Sequence, residues 1–400
     1  MVKQKYLGNT VLVGFIAFMN MFIPLSTDLY LPAMPEMGAY LGADSFLVGL
    51  TLSAFFVVFA VSIVFFGPVS DKYGRKKVLV ASSVLFTLAS LLCAVAENIY
   101  LLVGGRILQA LGAGAIITVS TALIKECFSG RLMTKILAIT QALSVIAPMC
   151  APIVGGFLLT FTSWHGAFYL LTVLGLVNLL LALLLTETLP PEQRYQGNLM
   201  ASFSLLTRLL RFRRFMQLLL MFSLLAAPYM AYLAVSSFVY IEKFGLTAQE
   251  YSYFFAVNSA AAVLGPMLYL RLKGVCTTER LIFLSFLVAA VSSLAVLLGG
   301  KFGALFFMLA FLPFTIMESM VRPFSMDLLL RETDKNIGTA AAMINFVQTF
   351  LGSIGMLAGT MPWPDFISGL GIIMLTFTAM GIILWRLLPS KSPESGPGED

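Results

Sequence analysis

Gly67-Pro68-Val69-Ser70-Asp71-Lys72-Tyr73-Gly74-Arg75-Lys76-Lys77 separates two long apolar runs, 46–66 and 78–96. Gly and Pro break helices, Ser and Asp suit a turn, and the cations stay in water. The stretch therefore reads as a polar turn between two apolar helices, with the first helix ending at Gly67-Pro68. On charge alone, an ordinary positive loop on the inner face of a membrane would look the same.

Outward from this loop the chain has little else that is polar. Of its 400 residues 59% are hydrophobic and 11% charged, which excludes a soluble domain. Apolar runs long enough to cross ~30 Å of hydrocarbon recur at 9–33, 46–70, 78–96, 99–123, 136–160, 166–187, 215–239, 250–271, 280–299, 303–328, 338–360 and 365–388. The net charge of +6 follows the membrane and is no nucleic-acid footprint. With a cytoplasmic N-terminus, all Lys and Arg fall at the inner side except Lys243 and Lys301, outside, and Arg106 and Arg322, within spans. Both termini are then cytoplasmic. The first span lacks a cleavage site in a polar context and reads as a retained helix. Cys93, Cys127, Cys150 and Cys276 show neither metal nor disulfide spacing. The single histidine, His165, beside Trp164, suits an interfacial anchor and leaves no histidine proton relay.

The longest polar interruption, 187–214, divides six spans from six. It predicts an N-terminal half over 1–188, a linker over 189–214 with a basic amphipathic helix at 203–215, a C-terminal half over 215–388, and a disordered tail over 389–400. Gly265-Pro266, followed by Arg271 and Lys273, echoes Gly67-Pro68 and is read as ending span eight. The fold class is an all-α integral membrane protein: twelve transmembrane helices in two pseudo-symmetric six-helix halves, with a binding site between them.

Asp28 lies inside span one, in Pro24-Leu25-Ser26-Thr27-Asp28-Leu29-Tyr30-Leu31-Pro32. A carboxylate at lipid depth costs roughly 2.5–3.5 kcal/mol on insertion scales and normally faces the protein interior, where it can carry a proton. If span one ends near Ala33, Asp28 sits ~8 Å below the outer boundary. Arg106, in Gly105-Arg106-Ile107-Leu108-Gln109-Ala110-Leu111-Gly112, lies ~12 Å below it. The two share a depth and can pair, either as a static salt bridge or as a switchable one. Span five carries Pro148, Pro152, Gly155 and Gly156, which bend a helix and admit a neighbouring backbone. Span ten places Glu318 and Arg322 four apart on one face, where pairing with each other and contacting a charged substrate are both open. Polar residues at cavity-lining spacing are Gln141, Ser144, Tyr229, Tyr232, Ser236, Asn258, Asn345 and Gln348, with Tyr30 beside Asp28. Each serves equally well as helix–helix glue.

The 67–77 loop closely resembles the signature loop between helices two and three of the major facilitator superfamily. With Thr27-Asp28-Leu29-Tyr30-Leu31-Pro32, the Arg106 segment, Ala151-Pro152-Ile153-Val154-Gly155-Gly156 and Glu187-Thr188-Leu189-Pro190-Pro191-Glu192, nearly the whole chain resembles the drug:proton antiporter branch, specifically the bicyclomycin-resistance (Bcr/CflA) group. That resemblance implies export of small molecules from the bacterial cytoplasm across the inner membrane, driven by proton entry. Asp28 would be the protonation site and Arg106 its coupling partner. Gly67, Asp71, Gly74 and Arg75 would belong to a latch between the halves, with Asp71 near the start of span eleven, and span five would be hinge-like. It implies no cofactor beyond the proton gradient, no metal and no enzyme activity, with protons, a small-molecule substrate and membrane lipids as partners and a monomer as the working unit. Two departures are visible. Ala151 stands where the wider antiporter motif has Gly, and Arg322-Pro323-Phe324 carries a charge where the branch has an uncharged residue. The second leaves room for an alternative, a dedicated exporter of an anionic or zwitterionic metabolite such as a metallophore, using Arg322 and Glu318.

Overall fold

The computed structural model describes residues 4–197, 212–331 and 337–388. Twelve helical spans among them are long and apolar enough to cross a membrane: α1 Asn9–Leu41, α2 Ser45–Tyr73, α3 Arg75–Ala94, α4 Ile99–Cys127, α5 Gly130–Leu158, α6 His165–Leu184, α7 Arg213–Lys243, α8 Ala248–Leu272, α9 Thr278–Phe302, α10 Ala304–Leu330, α11 Ala340–Gly359 and α12 Phe366–Arg386. The architecture is the expected all-α bundle of two six-helix halves. The predicted 203–215 helix lies largely outside the described residues, and the 389–400 tail and the Ser144 side chain lie wholly outside them.

Short polar residues fix where spans begin, because a helix start leaves amide donors without partners. Asp44 accepts from Leu47 N at 2.8 Å before α2, Asn98 from Leu101 N at 2.8 Å before α4, and Asp365 from Ser368 N at 3.0 Å before α12. Thr247 and Glu250 form a reciprocal cap on α8. Within the spans, many hydroxyls return to their own backbone, as Ser83 and Ser90 do to Leu79 O and Phe86 O, which satisfies them without water.

Three boundaries differ from expectation. α2 runs unbroken through Gly67-Pro68 to Tyr73, and only Gly74 stops it. Pro68 removes one amide donor but not the helix, and Ser70 Oγ bonds back to Gly67 O at 2.9 Å. Gly265-Pro266 does not end α8 either: the helix is interrupted at Val263 and resumes over Leu264–Leu272. Gly265 instead lets α8 meet α10: a Cβ there would lie 2.5 Å from Met320 N and 2.6 Å from Ile316 O. Finally, α1 does not end near Ala33. Its helix stops at Asp28, passes through a 3-10 turn at Leu31–Ala33, and resumes over Met34–Leu41. Trp164 is buried and stacks at 3.8 Å on His165, which is half-buried at the start of α6 and bonds Ser163 at 2.9 Å.

Candidate functional site

The break in α1 puts Asp28 at a helix end in the middle of a span, roughly 20 Å from the Leu41 end at 1.5 Å per residue. The carboxyl is 5% exposed and accepts one hydrogen bond, from Thr27 Oγ1 at 2.9 Å. It is therefore directed neither to lipid nor to bulk solvent. Among the described residues no cation pairs with it.

Arg106 in α4 is fully buried and does not meet Asp28. Its Nη1 donates to Ser26 O at 2.9 Å and to Gln109 Oε1, and its Nε to Thr51 O at 3.3 Å. The guanidinium carbon lies 4.3 Å from the centre of the Phe55 ring and 4.7 Å from that of Tyr30, whose hydroxyl bonds Thr51 Oγ1 at 3.1 Å. Equal depth on two helices does not fix azimuth. The guanidinium turns into a cage of backbone carbonyls and rings that ties α4 to α1 and α2, and among the described residues its Nη2 has no hydrogen-bond partner.

In the second half, Arg322 Nε bonds Glu318 Oε1 at 2.7 Å across one turn of α10. The Glu318 side chain is 5% exposed and that of Arg322 50%, and Arg322 stands 5.7 Å over the Tyr229 ring of α7. Tyr229 is half-buried and lies within electrostatic reach of Glu318, Arg322 and, from the other half, Asp28. Of the residues expected to line a cavity, these three form one group. Gln141 and Asn345 are exposed and Gln348 half-buried on α5 and α11. Tyr232 is buried, stacked on Phe311 at 4.0 Å, and Asn258 Oδ1 accepts from Thr315 Oγ1 at 2.8 Å, while among the described residues the Tyr232 hydroxyl and Asn258 Nδ2 find no hydrogen-bond partner. Ser236 bonds the Tyr251 hydroxyl at 2.9 Å.

The halves meet away from the 67–77 loop. Gly156 of α5 leaves no room for a Cβ beside Ala248 O (3.0 Å) and Gln249 Cα (3.2 Å) of α8, and Gly49 of α2 abuts Thr360 just past α11. The one hydrogen bond found between the halves among the described residues runs from Ser252 Oγ to Pro152 O, 2.7 Å, at that same far end. Towards the loop end the described residues of α5 and α8 are mostly exposed. From Arg131 to Gln141, α5 buries only Ile136 and Thr140, and over 263–272 α8 buries only Gly265 and Tyr269, both against α10.

The loop itself is tied to its own half. Arg75 pairs with Asp71 at 2.5 Å and Glu126 at 2.8 Å and donates to Ser70 Oγ at 2.5 Å. Glu187, after α6, accepts from the backbone of Arg75 (2.9 Å) and Lys76 (3.3 Å), capping α3. Tyr195 N reaches Asp71 O at 3.0 Å. The expected approach of Asp71 to the start of span eleven involves 337–339, whose side chains lie outside the described residues. Sequence reasoning had not assigned Glu126 and Glu187 to this loop. The available signal was their position, acids closing spans four and six on the side where the cations collect.

Residues 10–356 match the model of the Major Facilitator Superfamily. An uncharacterized MFS-type transporter, YdgK, of Bacillus subtilis is 33% identical over 88% of each chain, and a bicyclomycin resistance protein homolog of Haemophilus influenzae is 24% identical over 99% of this chain and all of that one. A multidrug resistance protein MdtL of Shigella dysenteriae is 32% identical, over 42% of this chain and 43% of its own. Among solved structures, a peptide transporter POT in complex with sulfate superposes with a TM-score of 0.76 over 96% of both chains at 12% identity. A D-xylose-proton symporter gives 0.73 over 94% of this chain and 97% of that one at 14%. With the family model spanning most of the sequence and the same fold recurring in these neighbours, the chain belongs to the Major Facilitator Superfamily and is a multi-pass membrane transporter, not an enzyme.

Proposed function

We propose that the protein exports small molecules from the bacterial cytoplasm in exchange for entering protons, by alternating access of a site between its halves. Orientation rests on charge: of the 25 Lys and Arg, all but Lys243, Lys301, Arg106 and Arg322 lie at the loop end, which is therefore cytoplasmic. In that orientation the described seams between the halves, at Gly156 against α8 and Gly49 against Thr360, lie on the outer side. The relatives named for bicyclomycin and multidrug resistance support a drug-like substrate.

The observation that carries the proton role is Asp28. A buried carboxylate with one hydrogen bond and no cation is costly when ionised, so it takes a proton or a positive group. Proton and cationic substrate then exclude one another there, and whichever is bound biases the rocking of the halves. Arg106, with an Nη2 unsatisfied among the described residues and a grip on the Ser26 carbonyl two residues before Asp28, relays the change to α4. The 67–77 loop and the α5 glycines serve as the moving parts.

The test is Asp28→Asn in proteoliposomes under an imposed pH gradient. The variant should remain folded in the membrane and lose proton-driven efflux. Efflux at the wild-type rate, still collapsed by an uncoupler, would refute the assignment.

A further inference from the structure

The proposed exchange leaves two open valences at the site, and they have opposite sign. Asp28 lacks a cation. Arg322 spends Nε on Glu318, while among the described residues its two terminal nitrogens donate to no protein group, although half the side chain is exposed. A planar pair of N–H donors facing open space fits a carboxylate in bidentate geometry. Arg322 stands 5.7 Å over the ring of Tyr229, which is within electrostatic reach of Asp28 as well. We propose that the site takes a small amphoteric molecule, with a protonated amine turned toward Asp28 and a carboxylate held by Arg322.

The proposal rests on proton exchange, and the sign of coupling selects the substrate. An anion held at Arg322 alone would not displace the proton from Asp28, so its binding would not drive exchange. Exchange requires a positive group that competes with the proton. A cation alone would satisfy Asp28 but leave Arg322 unused. Glu318 adds to this: it already cancels the charge of Arg322, so a net-anionic ligand gains little at long range, whereas a net-neutral one needs only the local fork. The charged and titratable groups around Asp28 are Tyr229 and Tyr251, within electrostatic reach, with Glu318 and Arg322 beyond Tyr229 and the Arg106 guanidinium turned to Ser26 O, Thr51 O and Gln109. The charge balance is explicit. One proton in for one neutral amphoteric molecule out moves one positive charge inward, so an inside-negative potential accelerates export. One proton exchanged for a monovalent cation moves none.

The experiment uses the full chain in proteoliposomes and two trios of probes. One is a fluoroquinolone with an amine and a carboxylate, its ethyl ester (cation only) and its N-acetyl derivative (anion only); the other is the same trio built on phenylalanine. The amphoteric member of at least one trio should exchange for protons, faster under an inside-negative potential. Arg322→Gln should lower the amphoteric-to-ester rate ratio about tenfold or more, and Arg322→Lys should restore part of it. Glu318→Gln combined with Arg322→Gln, which leaves no unpaired charge, should reproduce the loss and so controls for misfolding. The proposal is overturned if both amphoteric probes move no faster than their N-acetyl forms, or if Arg322→Gln lowers ester and amphoteric rates alike. An intact Arg322-dependent ratio with no response to the pH gradient would sink the exchange reading alone.

Discussion

A guanidinium keeps its proton at any accessible pH, so burying one obliges the protein to surround it with oxygens and ring faces. Arg106 has both, from three helices, and a lysine could not replace it: one ammonium on a flexible stem cannot reach the Ser26 and Thr51 carbonyls and Gln109 while lying flat against Tyr30 and Phe55. Arg106→Lys should therefore cost about 1.5–3 kcal/mol, seen as a lower melting temperature of the detergent-solubilised protein. A lysine variant that melts with the wild type would mean that the carbonyl cage does not hold α4 to α1 and α2. Asp28 and Arg106 were legible in the sequence because a charge inside an apolar run is too costly to stand there without a buried partner or a task. Their failure to pair was not, since sequence position gives depth along a helix but not which way a side chain turns. Two of the acceptors that captured Arg106 are backbone oxygens, which no residue type announces.

The start of α3 shows why one glycine of the loop matters more than the other. Gly74 has φ +97°, where a side chain is strained, and a Cβ there would lie 2.5 Å from Glu187 Oε2, the group that caps the helix. Gly67 faces open space and sits in ordinary helix. Gly74→Ala should cost about 1–3 kcal/mol and release Glu187, whereas Gly67→Ala should be neutral or slightly stabilising; equal melting temperatures for the two would count against this account. At the far end Asp365 plays the corresponding part for α12. Burial pushes its pKa up, but bonds from Lys243 and Ser368 outweigh that and hold it at about 2. Being depressed on folding, its contribution is present above the unfolded value of ~3.9 and lost as pH falls toward 2. Asp365→Asn should destabilise by about 1–2 kcal/mol at neutral pH, with the gap to wild type closing between about pH 4 and 2 in melts across that range. Span starts were placed from the apolar runs alone, and the caps Asp44, Asn98, Thr247 and Asp365 emerged only with the structure. Span ends read from proline did not hold: Pro68 and Pro266 are tolerated inside helices, and Pro32 belongs to a turn that α1 passes through.

Across the whole molecule the repeat between halves is written in backbone approaches more than in sequence. Gly155 of α5 lies against the Leu29 carbonyl of α1, and Gly355 of α11 lies against the Ala227 carbonyl of α7, the same pair of helices in each half. The related contacts between halves are α5 on α8, through Gly156, and α2 on α11, through Gly49 and Thr360. Gly67-Pro68 and Gly265-Pro266 only hinted at this symmetry, because the residues that make it are small and their spacing is common in membrane helices. If access alternates, these seams must open whenever the loop end closes. Ser252, fully buried where Gly156 meets α8, reports on that opening. In a background with the exposed Cys150 and half-buried Cys276 replaced by serine, Ser252→Cys should react slowly with an impermeant maleimide added from the far side. Gly156→Leu must push its side chain into space held by Ala248 O and Gln249 Cα, so it should destabilise the closed seam and raise the labelling rate about tenfold, a shift of ~1.4 kcal/mol in that equilibrium. Unchanged labelling in a variant that still transports would mean that this seam stays shut throughout the cycle, and the site would then have to reach the outer side by another route.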